Sequence, residues 1–128
     1  GDEVGREDMK QIVDSALTFD APLVSLETEV QVLELFHGPT LAFKDFGARF
    51  MARLMGHFLK NDPEPLTILV ATSGDTGGAV ASGFYNTPGI EVVILYPAGE
   101  VIPLQKKQLA TLGGNIQAWK CEGTFDDC

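Results

Sequence analysis

Cysteine and histidine are scarce in this chain. Its 128 residues include only two cysteines, Cys121 and Cys128, and two histidines, His37 and His57. Two cysteines are too few for a disulfide framework, and neither residue type shows the close paired spacing of a zinc site. We therefore expect both cysteines to be buried or free thiols, and the sequence gives no support for metal catalysis.

Positive charge is also in short supply, with 9 Lys and Arg against 18 Asp and Glu, for a formal net charge of −9. A phosphate backbone needs a basic stripe to neutralise it, and the sequence has none. No apolar run reaches the length of a membrane span, and the first residues carry no signal-peptide pattern. The sequence thus predicts no nucleic-acid or membrane partner and favours a cytoplasmic protein.

The first third of the chain shows two helical patterns and one extended pattern. Residues 6–17 have the apolar spacing of a helix, and residues 23–26 and 30–36 read as a strand pair. A second amphipathic helix is predicted over residues 42–60. Its apolar stripe consists of Phe43, Phe46, Phe50, Leu54 and Phe58.

Three apolar strands then alternate with helices. The strands are predicted at residues 67–71, 91–96 and 115–120, and the helices between them at 77–85 and 102–112. Near-continuous apolar strands separated by helices are typical of a parallel sheet that is covered on both faces. We therefore predict an α/β fold, with a parallel three-layer sheet and helices on both faces.

The chain divides at the end of the predicted strand pair. Residues 1–36 form an N-terminal helix and strand segment, and residues 37–128 form a small α/β domain. Residues 123–127 look like the N-cap and acidic first turn of a helix that the chain does not complete. We therefore expect this chain to be a piece of a longer protein.

A lysine occupies an unusual position in the segment ELFHGPTLAFKDFG. The predicted strand enters a His-Gly-Pro-Thr turn, and Lys44 falls in the first turn of the next helix, between Phe43 and Phe46. The positive end of a helix dipole disfavours a cation, and so does an apolar setting. A neutral amine suits a nucleophilic or Schiff-base lysine, but a surface lysine at a helix start fits the spacing equally well.

The neighbours of this lysine have simpler expected roles. Thr40 is expected to be the N-cap of the helix, and Gly38 with Pro39 is expected to fix the turn. Asp45 is expected either to steady the helix start or to orient the lysine. His37 is expected to be a turn residue with a local hydrogen bond.

A glycine-rich loop, ATSGDTGGAVA, follows the first strand of the predicted sheet at residues 71–81. In open parallel sheets, ligands bind where strand ends meet helix starts. The amides of residues 73–78, with the hydroxyls of Ser73 and Thr76, would form an anion cradle at a helix N-terminus. The loop matches neither a Walker sequence nor GxGxxG, and a plain helix cap is the alternative.

The combination of HGPTLAFKDFG with ATSGDTGGAVA resembles the threonine synthases, pyridoxal-phosphate enzymes of the fold-type II group. The similarity continues through LYPAGEVIPLQKKQLATLGGNIQAW and CEGTFDDC, and thus spans nearly all the chain after Pro22. The resemblance implies that the chain is the smaller domain of such an enzyme with its approach segment. Its partner would be the rest of the parent chain.

The resemblance also implies a cofactor and a reaction. The family converts O-phosphohomoserine and water to threonine and phosphate, with pyridoxal 5'-phosphate as the electron sink. Lys44 matches the lysine that forms a Schiff base with the cofactor and then moves protons among the substrate's carbons. Phe43 would lie beside the cofactor. The substrate carboxylate would bind the loop residues that match the family, namely Ser73, Gly74, Asp75, Thr76 and Gly77.

Asp75 stands where many fold-type II relatives carry Asn beside the cofactor's phenolic oxygen. Asn can donate a hydrogen bond to a phenolate, whereas an ionised Asp cannot. We therefore expect Asp75 and the phenolic oxygen to share a proton.

Two expectations concern the remainder of the chain. Lys106 and Lys107 are expected to be a solvated helix face, with help to the phosphate leaving group as the alternative. The loop that binds the cofactor phosphate is expected to lie further along the parent chain. The isolated chain should therefore bind the cofactor weakly and turn over no substrate.

Two other functions remain open from the sequence. A related phospho-lyase would use the same lysine and loop to eliminate phosphate from an amino-acid phosphate, releasing a keto acid and ammonia. A non-catalytic α/β binding domain would leave Lys44 without a chemical role.

Overall fold

A computed structural model gives the architecture of the chain and describes residues 3–62, 64–99, 102, 107, 109 and 111–128. The helices are α1 (Arg6–Ala16), α2 (Lys44–Phe58) and α3 (Asp75–Phe84), with 3₁₀ turns at Leu59–Asn61 and Phe125–Asp127. The strands are β1 (Leu23–Ser25), β2 (Gln31–Leu33), β3 (Leu66–Ala71), β4 (Ile90–Pro97) and β5 (Ile116–Cys121).

The strands form two separate sheets. Strands β1 and β2 pair antiparallel, and β3, β4 and β5 form a parallel sheet in that order. The predicted α/β class, the parallel sheet and the N-terminal helix with its strand pair are confirmed. The helix predicted over residues 102–112 lies mostly outside the described residues.

One face of the parallel sheet carries the core. Val92, Ile94 and Tyr96 alternate along β4 as buried residues, and α2 and α3 contribute to the same apolar cluster. On the opposite face, Leu69 and Trp119 are 67% and 58% exposed. Within the described part of the chain, helices therefore cover one face only, and the predicted cover of the second face is not seen there.

Helices α2 and α3 approach each other closely because small residues meet between them. Ala48 and Ala52 are buried, and a Cβ added at Gly83 would lie 3.0 Å from the carbonyl carbon of Ala48. The predicted apolar stripe of α2 is only partly buried: Phe46, Phe50 and Leu54 are half-buried, whereas Phe43 and Phe58 are 59% and 53% exposed. Close backbone contact selects the alanine face of the helix.

Arg49 of α2 holds the C-terminal end of α1. Its Nε donates to the carbonyl oxygen of Ala16 at 2.6 Å, and its Nη2 donates to the Ser15 carbonyl at 3.3 Å and the Thr18 hydroxyl at 3.2 Å. The last carbonyls of a helix lack intrahelical donors. Arg49 supplies those donors and so fastens α1 to the helix that begins with Lys44.

Three further features bear on the sequence predictions. Among the described residues, no helix is both long and apolar enough to cross a membrane. The same residues include no group of three or more potential metal-ligating side chains. Cys121 and Cys128 are half-buried and form no disulfide.

Candidate functional site

Lys44 and the glycine-rich loop line the same cavity. Its volume is about 370 Å³, and its walls are Lys44, residues 71–76 and Phe125. The cavity lies where β3 ends and α3 begins, which is where open parallel sheets bind ligands. The fold thus brings together two motifs that are separated by 26 residues of sequence or more.

Lys44 is the first residue of α2 and is half-buried. Its Nζ lies 4.6 Å from the centre of the Phe43 ring. Phe46 packs elsewhere, edge-to-face on Phe19 with the ring centres 4.9 Å apart. One of the two flanking phenylalanines therefore contacts the amine.

The start of α2 is organised by Asp45 and not by the predicted N-cap. Phe43 directly precedes the helix, so the prediction that Thr40 caps it is wrong. The amide of Thr40 donates to Asp45 Oδ2 at 2.8 Å, and its hydroxyl donates to Asp45 Oδ1 at 2.7 Å. Thr40 thus donates hydrogen bonds to the carboxylate of Asp45 and does not cap the helix.

The side chain of Thr72 holds the backbone of the glycine-rich loop through hydrogen bonds. Its hydroxyl accepts hydrogen bonds from the amides of Gly74 at 3.0 Å and Gly77 at 2.9 Å, and donates to the Gly74 carbonyl at 3.3 Å. The side chain is buried, at 2% exposure. Both glycine amides are therefore occupied inside the loop in this conformation.

The exposed polar residues of the loop are Ser73, Asp75 and Thr76, and all three line the cavity. A helix N-terminus attracts negative charge, because its first amides point outwards and the helix dipole is positive there. The two hydroxyls and the start of α3 can therefore bind an anion such as a carboxylate. Asp75 adds a carboxylate of its own at the first residue of α3.

Most of the predicted site residues meet at this cavity, and two do not line it. The cavity is lined by Lys44, Ser73, Gly74, Asp75 and Thr76. Phe43 lines two other cavities, one with Asp75 and one with Lys44. Gly77 is buried against Thr72. The ligand-binding roles of all these residues stay predictions.

Phe125 is a further wall of the cavity, and no sequence motif indicates it. It begins the 3₁₀ turn after β5, and Thr124 caps that turn. The capped acidic turn expected within residues 123–127 is therefore present as a 3₁₀ turn. The amide and hydroxyl of Thr124 both donate to Asp127 Oδ2 at 2.8 Å. These hydrogen bonds lower the pKa of the Asp127 carboxyl. The sequence pattern indicates a capped turn at this position. It does not indicate that the turn lies on the same cavity as Lys44.

Two other predicted residues lie away from the cavity. His37 Nε2 and Glu34 Oε2 are 2.6 Å apart, which confirms the local hydrogen bond expected for this turn residue. Lys107 is exposed, whereas Lys106 lies outside the described residues.

The chain is similar in sequence to one group of enzymes. No family model matches the chain. The threonine synthase of Escherichia coli (strain K12) is 54% identical over 128 residues, which is 100% of this chain and 29% of that protein. The threonine synthase of Serratia marcescens is 52% identical over the same shares of the two chains.

Solved structures agree with the sequence comparison. The crystal structure of the E. coli threonine synthase matches with a TM-score of 0.88 at 54% identity, over 98% of this chain and 29% of that one. A structure of PLP-bound threonine synthase from Brucella melitensis matches with a TM-score of 0.89 at 42% identity, over 100% and 29%. A pyridoxal 5'-phosphate-dependent aspartate racemase, 19% identical with a TM-score of 0.64, shares the fold. The chain is homologous along its whole length to the threonine synthases and spans about 29% of the length of these relatives.

Proposed function

We propose that this chain is the lysine-bearing part of a threonine synthase that depends on pyridoxal 5'-phosphate. The whole enzyme would convert O-phosphohomoserine and water to threonine and phosphate. The observation that carries the proposal is the cavity shared by Lys44 and residues 71–76. Identity of 54% over the whole chain supports it, as does a solved relative described as PLP-bound.

Residues in this cavity and in the two next to it support binding of one end of the cofactor. The Lys44 amine can hold the cofactor's aldehyde carbon, the Phe43 ring offers an apolar surface beside the amine, and Asp75 stands at the helix start. No second glycine-rich loop lines the cavity among the described residues, so the cofactor phosphate would be bound by another part of the parent chain. These observations support the expectation that the isolated chain binds the cofactor weakly.

Pyridoxal phosphate, when bound, supplies an electron sink for bonds broken at the substrate's α carbon. Lys44 Nζ would take and return protons at the α, β and γ carbons, which requires a neutral amine. The hydroxyls of Ser73 and Thr76, with the N-terminus of α3, would bind the substrate carboxylate. That contact would orient the reacting carbons towards Lys44 across the cavity.

We propose that residues 37–128 form the small α/β domain of the parent enzyme and that residues 1–36 lead into it. The exposed apolar side chains on the open sheet face, Leu69 and Trp119, support a further covering segment in that enzyme. The cytoplasmic location favoured by the sequence stays a prediction.

The test is an assay of the protein produced from the whole reading frame that contains this sequence, which we call the whole-frame protein. Threonine and phosphate formed in equal amounts from O-phosphohomoserine would support the proposal. Formation of 2-oxobutyrate, ammonia and phosphate would identify a phospho-lyase instead. Absence of any product would favour a non-catalytic binding domain. A stable cofactor absorbance in the dialysed 128-residue chain would contradict the expected weak binding.

A further inference from the structure

We propose that Asp45 is a positioning residue that fixes the direction of Lys44 by tying the preceding turn to the start of α2. The inference deepens the proposed function and rests on it, because it takes Lys44 as the cofactor lysine. Asp45 itself touches neither cofactor nor substrate in this account.

The carboxylate of Asp45 is fully buried, with 0% exposure. A buried charge is costly unless hydrogen bonds compensate it. Here both carboxylate oxygens accept hydrogen bonds from one residue, Thr40, through its amide and its hydroxyl. Hydrogen bonds to an ionised acceptor are about twice as strong as neutral ones. Asp45 and Thr40 therefore clamp the turn onto the helix.

The backbone of Gly38 also packs against the side chain of Asp45. A Cβ added at Gly38 would lie 2.4 Å from Asp45 Oδ2 and 2.7 Å from Asp45 Cβ. The backbone of the turn thus rests directly on the carboxylate. Leu41 closes the turn through its amide to the Gly38 carbonyl at 3.0 Å, with a φ of 60°. Left-handed backbone is unfavourable for leucine, and the bonds to Asp45 offset that cost.

Lys44 is held by the same contacts because it is the residue next to Asp45. Phe43, which precedes the helix, provides no capping side chain. The bonds from Thr40 to Asp45 therefore fix the first turn of α2, from which the lysine side chain projects. A reacting group displaced by about 1 Å can cost about 10²-fold in rate, so the clamp has a catalytic consequence.

The first experiment replaces Thr40 by Val, which keeps the side-chain shape and removes the hydroxyl donor. Thr87→Val is the matched control, since the buried Thr87 hydroxyl has no hydrogen-bond partner among the described residues. In the whole-frame protein we expect Thr40→Val to lower kcat by about 10-fold to 10²-fold. KM for O-phosphohomoserine should change far less. Thr40→Ser, which restores the hydroxyl, should recover most of kcat.

A second variant removes the charge and keeps the contacts. In Asp45→Asn the amide oxygen can accept the Thr40 amide, and the amide nitrogen can donate to the Thr40 hydroxyl. If these contacts position Lys44, Asp45→Asn should have a higher kcat than Thr40→Val, because it keeps both hydrogen bonds to Thr40. We also expect slower borohydride fixation of pyridoxal phosphate on Lys44 in Thr40→Val than in Thr87→Val.

The outcomes separate this inference from the proposed function. Equal kcat and equal fixation rates in Thr40→Val and Thr87→Val would overturn the inference while the wild type still makes threonine. A wild type with no product and no cofactor on Lys44 would overturn the proposed function. In that case, amide hydrogen exchange at residues 44–46 would test whether the hydrogen bonds of Thr40 hold the first turn of α2. Faster exchange in Thr40→Val than in Thr87→Val would support that role, and equal exchange would reject it.

Discussion

The methyl group of Thr72 occupies the space that a side chain at residue 77 would need. A Cβ built on Gly77 would come within 2.3 Å of Thr72 Cγ2 and 3.1 Å of Leu109 Cδ2. Gly77 is therefore required by the packing beneath the loop. Packing against the buried threonine thus accounts for one of the glycines in this loop without reference to any ligand.

Replacing Gly77 by Ala should lift the loop away from Thr72. We expect the free energy of unfolding to fall by about 1–3 kcal/mol, the usual cost of overpacking, with a higher KM for O-phosphohomoserine. Urea unfolding and steady-state kinetics of the whole-frame protein would measure both effects. Gly47→Ala is the control for stability, because a Cβ there lies more than 4 Å from every neighbouring atom in the described part of the chain. Alanine in that helix interior should stabilise by up to about 1 kcal/mol, and equal losses at the two positions would contradict the account.

Replacing Thr72 by Val should leave the amides of Gly74 and Gly77 without their acceptor. A buried donor without a partner costs about 1–3 kcal/mol. Thr72→Ser keeps the hydroxyl and loses only a methyl group, so it should be the more stable of the two variants and should have the lower KM. The same unfolding and kinetic measurements apply. A Thr72→Val protein as stable as Thr72→Ser would show that the hydroxyl does not hold the loop.

The sequence predicts those parts of the fold that depend on local pattern. The apolar strands follow from periodicity, and so does the helix that carries Lys44 in its first turn, although it begins at Lys44 and not at residue 42 as predicted. The contributions of Thr72 and Phe125 depend on contacts between segments far apart in the chain, which local periodicity does not contain. The burial of Ala48 and Ala52 in α2 has a related cause. Gly83 of α3 allows the backbones of the two helices to meet there, and the periodicity of α2 alone does not indicate this contact.

Replacing Arg49 by Ala should loosen α1 from α2. Hydrogen bonds that involve a charged group contribute about 1.5–3 kcal/mol, and Arg49 makes them to the end of α1. We expect faster amide hydrogen exchange in residues 6–18 and a loss of about 2 kcal/mol in stability. Lys10→Ala, which removes an exposed ion pair with Asp14, should change stability by less than about 1 kcal/mol. Similar losses in the two variants would contradict the role given to Arg49.

Replacing Asp75 by Asn should change the titration of the bound cofactor. If Asp75 and the cofactor's phenolic oxygen share a proton, removing the acid removes one of the two proton sites. The pH dependence of the cofactor's absorption should then shift relative to the wild type, because coupled groups titrate as a pair. Absorption spectra across pH on the whole-frame protein provide the measurement. An unchanged titration would count against the shared proton.

The most direct test of the central claim is the chemical identification of the lysine that binds the cofactor. The whole-frame protein, incubated with pyridoxal phosphate, would be reduced with borohydride, digested and mapped by mass spectrometry. We expect the reduced cofactor on the peptide that contains Lys44, and its loss from that peptide in Lys44→Ala. Cofactor fixed on another lysine, or on none, would contradict the assignment of Lys44 and with it the proposed chemistry of this site.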